Sequence, residues 1–181
     1  AFRVEFGAGL IKLRGDPCWR DLTCMDFHHE TQLMPNPLSW FFHHLPRPLH
    51  RVEVLGNFFA QLVLPWGLFL PQPFASVAAA LMIATQLYLV VTGNYSWLNW
   101  VTIVVMTAVL ANPVLEAAVR LVNPGFGLAA SAFDVAPVWF TGLVLALAVV
   151  VFGLSWFPVR NLLSPNQAMN ASFNPFRLVN T

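Results

Sequence analysis

The stretch VLGNFFAQLVLPWGLFLPQPFASVAAALMIATQLYLVVTGNYSWLNWVTIVVMTAVLANPVL, Val54 to Leu115, contains no Asp, Glu, Lys or Arg. A helix that crosses the hydrocarbon core of a bilayer needs roughly 20 consecutive, mostly apolar residues. The uncharged run is long enough for about three such crossings. Proline removes a backbone donor and disfavours helix in the residue before it, so Pro71-Gln72-Pro73 and Asn112-Pro113 read as breaks, as does Gly93-Asn94. The predicted membrane segments are residues 54–70, 74–92 and 97–111. Pro65 and Gly67 lie inside the first, where they predict a kink rather than an end.

A further span is predicted over residues 136–157, closed by Arg160, and residues 1–13 read as the end of an earlier transmembrane helix. Trp66, Trp97, Trp100, Trp139 and Trp156 fall near span ends, where indole rings favour the headgroup zone. Composition agrees. Of the 181 residues 57% are hydrophobic and 9% charged, against roughly 25% charged in a soluble domain. An aromatic content of 14% excludes a disordered chain. A net charge of +1 leaves no basic footprint for nucleic acid. The expected fold is all-α, a polytopic transmembrane helical bundle with the lipid bilayer as its solvent. A loop is expected over residues 112–135, and residues 158–181 read as the start of an extramembrane C-terminal region. The chain reads as an internal piece of a longer polypeptide.

Residues 14–53 form a long inter-helix loop. It holds Arg14, Asp16, Arg20, Asp21, Asp26, Glu30, Arg47 and Arg51, with all five histidines and both cysteines. Loops this long in compact proteins are commonly functional. Cys18 and Cys24 close a disulfide if the loop lies in an oxidising compartment and stay free thiols in a reducing one. Their spacing argues against a redox pair. Cys24, His28, His29 and Glu30 match no standard zinc spacing, so no metal site and no cofactor are expected. His43 and His44 beside Phe41 and Phe42 read as interfacial. Asn94-Tyr95-Ser96 and Asn170-Ala171-Ser172 match the glycosylation pattern. Counting alternate crossings, the arginines favour the side of the loop and the tail, which the positive-inside rule places in the cytoplasm.

The run Gly9-Leu10-Ile11-Lys12-Leu13-Arg14-Gly15-Asp16-Pro17-Cys18-Trp19-Arg20-Asp21-Leu22-Thr23-Cys24-Met25-Asp26 closely resembles the lipase maturation factor family. His29-Glu30-Thr31-Gln32, Pro35-Asn36-Pro37, Leu38-Ser39-Trp40 and Gly93 to Trp100 continue the match, as do Asn161 to Ser164 and Leu178 to Thr181. The resemblance implies a polytopic membrane protein that assists folding and assembly of secreted lipases, so the implied partner is a client lipase. It implies the endoplasmic reticulum membrane in a eukaryote and the cytoplasmic membrane in a bacterium. It also places the long loop in the lumen, against the arginine count, and that placement is preferred here. Members of the family often carry paired aspartates after the Asn-Trp segment, where this chain has Ala111-Asn112-Pro113. Implied as a working surface are Arg14, Asp16, Cys18, Trp19, Arg20, Asp21, Cys24, Asp26, His29 and Glu30.

Gly9-Leu10-Ile11-Lys12-Leu13, followed by Trp19, is also similar to the segment around the proposed catalytic lysine of vitamin K-dependent gamma-carboxylase. That similarity implies an alternative, a carboxylase-like membrane enzyme. Lys12, with a pKa lowered by desolvation, would be its general base, and Glu5, His28, His29 or Glu30 would line the site. Glu5 and Lys12, seven apart, return to one helix face. The structural reading of Lys12 is a helix end that reaches the interface and pairs with an acid such as Asp16.

Overall fold

The computed structural model describes residues 1–32, 35–93, 97–127, 136–164, 166, 168, 171–174, 176–177 and 179–180. Among the described residues it is all-α apart from one short hairpin, and the chain divides into two units, residues 1–128 and 129–181.

In the first unit, α1 (Phe2–Arg14) is followed by three short helices, α2 (Pro17–Arg20), α3 (Met25–His28) and α4 (Ser39–His43). Asp16 starts α2 by accepting from the Cys18 N–H at 2.9 Å, and Pro17 takes a position where a missing N–H costs nothing. α5 (Arg47–Phe58) therefore begins inside the expected loop and carries straight on into the first uncharged segment. A π-helical turn, Phe59–Val63, joins it to α6 (Leu64–Gly67). Pro65 cannot donate to the Gln61 carbonyl four residues back, and the backbone widens over the turn that would have needed that bond. The helix continues through Pro65 but ends at Gly67, three residues short of the expected segment 54–70.

Gly9 of α1 sits against this turn. A Cβ on it would lie 2.7 Å from Leu62 Cδ2 and 3.0 Å from Gln61 Cβ. Phe2 and Phe6 pack edge-on to Trp66, with ring centroids 4.9 and 5.4 Å away. α6 meets α7 (Phe74–Thr92) just as closely, since a Cβ on Gly67 would come within 2.6 Å of Ala78 Cβ. Small residues at such contacts let membrane helices approach backbone to backbone.

α7 has 19 residues, about 28 Å at 1.5 Å per residue, close to a hydrocarbon thickness of about 30 Å. Its buried stripe runs Ala75, Ala78, Ala79, Met82, Gln86, the 3–4 spacing of one helix face. Val77, Leu81, Leu87 and Val91 on the remaining surface are exposed. α8 (Trp97–Thr107) returns antiparallel to α7 and spans 11 residues, about 16 Å. It stops before residue 111 because its end is tied to the start of α7. Gln72 Nε2 donates to the Val109 carbonyl at 2.9 Å, and Ser76 Oγ accepts from Ala111 N–H at 2.8 Å. α9 (Asn112–Arg120) occupies the first part of the expected 112–135 loop, with Glu116 paired to Arg120 one turn on.

In the second unit, α10 (Val138–Leu162) has 25 residues and none is buried. It runs five residues past the expected end at 157, through Pro158 and Arg160, to Leu162. Such a surface, with Phe152 82% exposed, is tolerable in lipid and not in water. After it, β1 (Ser172–Phe173) and β2 (Val179–Asn180) pair antiparallel, Ser172 opposite Asn180. Among the described residues, α7 and α10 are long and apolar enough to cross a membrane.

Candidate functional site

The long loop is a packed platform rather than a tether, and three sets of side chains build it. In the first, Cys18 and Cys24 are joined as a disulfide, with Cα atoms 4.8 Å apart. The Thr23 and Cys24 N–H groups both donate to the Cys18 carbonyl, at 2.9 and 3.2 Å. Leu22 inside this ring has φ 58°, a left-handed conformation that disfavours a residue with a Cβ by about 1–2 kcal/mol. The closed ring and its two backbone bonds hold it there.

Asn36 and Ser39 form the second set and fasten the loop to the end of α7. Asn36 Nδ2 donates to the carbonyls of Val90, Val91 and Gly93 at 3.2, 2.9 and 3.0 Å. Ser39 Oγ donates to the Thr92 carbonyl at 2.7 Å. The last carbonyls of a helix have no partner within it, and here the loop supplies them. Asn36 Oδ1 meanwhile accepts from the N–H groups of Leu38 and Ser39 at 2.8 and 3.0 Å, just ahead of α4. The flanking Pro35 and Pro37 restrict the backbone around Asn36.

The third set is a buried cluster of ionisable groups. His50 and Glu53, three apart on α5, share a face, and His50 Nδ1 lies 3.1 Å from Glu53 Oε2. His29, just after α3, brings its Nε2 to 3.7 Å from the same oxygen. The Tyr88 hydroxyl of α7 donates to the other oxygen, Glu53 Oε1. His29 and His50 are 3% and 2% exposed. Burial alone would raise the Glu53 carboxyl, but the hydrogen bond from Tyr88 and the nearby imidazoles of His29 and His50 outweigh it and hold the carboxyl below its usual range. Neighbouring His28 is pushed down to about 4, first by burial and then by His29 and Lys12.

The other residues singled out from the sequence divide. Lys12 donates to Asn57 Oδ1 at 2.7 Å, and its Nζ lies 4.8 Å above the Trp19 ring. Asp16 is used instead as the α2 cap, so it is not the partner of Lys12. Glu5, 4% exposed, accepts from Gln86 Nε2 at 2.7 Å inside the helical bundle. The shared face of Glu5 and Lys12 thus ends in two different polar contacts. Glu30 is exposed and pairs with His43, which separates it from His29. His44 Nδ1 meets the Trp40 carbonyl at 2.7 Å. Asp26 faces Arg47 at 3.9 Å on the surface. Arg20 and Asp21 are exposed at the end of α2, and Arg14 is exposed at the end of α1. Cys24 is spent in the disulfide and cannot serve as a thiolate ligand. Asn94 and Asn170 lie outside the described residues.

His50, Glu53 and Tyr88 were not among the site residues expected from the sequence. His50 and Glu53 carried a usable signal, an i,i+3 pair of ligand-type side chains directly before the uncharged run. Tyr88 carried none, because its role depends on how α7 packs against α5.

Comparison with known proteins agrees with this architecture. Residues 1–117 match the family model described as the lipase maturation factor transmembrane domain. The chain is 43% identical over 99% of its length to lipase maturation factor 1 of Bos taurus and 41% identical over 99% to that of Homo sapiens, covering 34% of each relative. It is 35% identical over 84% of its length to lipase maturation factor 2 of Homo sapiens, covering 21% of that protein. The chain therefore spans about a third or less of the relatives it matches. No solved structure matches it. Nothing in these relatives supports the carboxylase-like alternative.

Proposed function

The chain belongs to the lipase maturation factor family, and we propose that it is the membrane-embedded part of a factor that assists folding or assembly of secreted lipases. The observation that carries this reading is the similarity itself. It covers 99% of the chain, including the whole loop platform. The protein is a membrane protein, with α7 and α10 as its candidate spans. The endoplasmic reticulum membrane is its expected location in a eukaryote, and the cytoplasmic membrane in a bacterium.

The Cys18–Cys24 bond supports an oxidising compartment for the loop, the lumen or periplasm, since such bonds persist there. That is the side on which secreted clients fold. The arrangement asks for no covalent chemistry. The platform offers Trp40, Phe41 and Leu38, all exposed, around polar groups fixed by the helix ends.

The test uses the full-length protein in secretory cells that lack their own factor, expressing a dimeric secreted lipase. Restored specific activity of the secreted lipase supports the proposal, and secretion that stays inactive despite normal membrane levels of the factor refutes it. Lys12→Arg keeps the charge but not an easily shifted pKa. It is expected to leave maturation intact, and its loss in a folded protein would instead favour the general-base reading.

A further inference from the structure

We propose that His29, His50 and Glu53 form a binding site for a divalent first-row transition ion, with zinc as the expected occupant. The three residues offer two imidazole nitrogens and one carboxylate oxygen, all within 4.8 Å of one another. A tetrahedral site with bonds of 2.0–2.1 Å places ligand atoms about 3.4 Å apart. The two separations from Glu53 Oε2, 3.1 and 3.7 Å, bracket that figure. The third pair, between the two imidazoles, lies within 4.8 Å and would close toward that spacing on binding an ion.

Three further observations point the same way. Both ring nitrogens of His29 are buried without a hydrogen-bond partner. Buried polar atoms are rarely left so, and a metal bond satisfies one of them. The Tyr88 hydroxyl holds Glu53 Oε1. This turns Oε2 toward the imidazoles, as an outer partner orients a ligating carboxylate in metal centres. The walls are aromatic, with the Phe42 ring 6.0 Å from His29 and 5.6 Å from Tyr88, which limits water around the ion.

The donor set chooses the metal class. Two imidazoles and one carboxylate suit zinc, or ferrous iron in a facial arrangement, and suit calcium and magnesium poorly. Both cysteines are consumed in the disulfide, so the site carries no thiolate. Three protein ligands leave a coordination position open for water. The ion would tie α3 and α5 directly and α7 through Tyr88. It would thus lock the loop platform to a membrane span.

The experiment uses the full-length protein in lipid nanodiscs, carrying an affinity tag without histidine and stripped with a chelator. Co²⁺ is titrated and followed by its visible d–d absorption, then displaced with Zn²⁺. One ion per chain is expected, with an X-ray absorption spectrum showing two imidazoles and an oxygen but no sulfur. Glu53→Gln and His29→Gln are expected to weaken binding at least 100-fold. Tyr88→Phe is expected to weaken it about 10- to 100-fold. The X-ray spectrum of the unmutated protein reads the ligands even where a variant fails to fold. The proposal is overturned by a stripped protein that takes up no Co²⁺, by a spectrum with fewer than two imidazoles, or by folded variants that bind as tightly as the original. The cluster would then be a network of hydrogen-bonded side chains only.

Discussion

Removing the Asn36 side chain is the sharpest probe of how the loop is held. Asn36→Ala deletes the donor that serves the carbonyls of Val90, Val91 and Gly93 and the acceptor for the N–H groups of Leu38 and Ser39. One amide nitrogen has two hydrogens, so its three contacts amount to two full donor bonds. With two acceptor bonds, at about 1 kcal/mol net each, the upper figure is about 4 kcal/mol. Water reaching the half-exposed site lowers this, and about 2–3 kcal/mol is the expected loss, roughly 30- to 150-fold in the docked-to-undocked ratio. Asn36→Asp is the diagnostic companion. It keeps the acceptor but aims a second oxygen at the α7 carbonyls, and should therefore be no better than alanine. The assay is limited proteolysis of the loop in nanodisc-embedded full-length protein, under conditions where cleavage reports the open fraction. An alanine variant cleaved within twofold of the parent, or an aspartate variant as resistant as the parent, would refute the reasoning.

Three other outcomes follow from the packing and the covalent ring. Replacing both Cys18 and Cys24 by serine should destabilise the loop by about 2 kcal/mol, from the chain entropy of a ring this small; thiol labelling of the denatured parent should require prior reduction. Gln86→Leu strips the buried Glu5 carboxylate of its partner and should lower stability by about 1–3 kcal/mol. A second change, Glu5→Leu, should recover much of that in thermal unfolding, and strict additivity would falsify the pairing. Gly9→Ala forces a methyl into Leu62 and Gln61 and should destabilise by about 1–3 kcal/mol, whereas Gly7→Ala, with open space around it, should be neutral or slightly stabilising by the same assay.

The all-α class was legible because charge is absent from Val54 to Leu115, and desolvating a charge is costly enough to make that absence informative. The break in regular α-helix just before Pro65 was legible from one missing N–H. The short helices α2, α3 and α4 were not, since four or five residues show no period. Asn36 stood inside a quoted motif, yet its work on the α7 carbonyls depends on a contact 54 to 57 residues away. Glu53 was hidden by its position. It is the last charge before the membrane run, and reads as a boundary marker until α5 is seen to present it beside His50. Lys12 shows the converse. Its place on the helix was readable, but its partners Asn57 and Trp19 follow from tertiary packing.

The widened turn at Phe59–Val63 has a consequence for how one continuous helical run serves two sets of contacts. An extra residue in a helical turn advances the angular phase of everything downstream by about 100°. Before that turn, α5 aims His50 and Glu53 at His29 and Tyr88, and Asn57 at Lys12; within and after it, Leu62, Trp66 and Gly67 meet Gly9, Phe2 and Ala78. The offset lets each half keep its own azimuth. Trimming one residue there would wind the helical run back into a regular spiral, and only one of the two sets of contacts could then be kept.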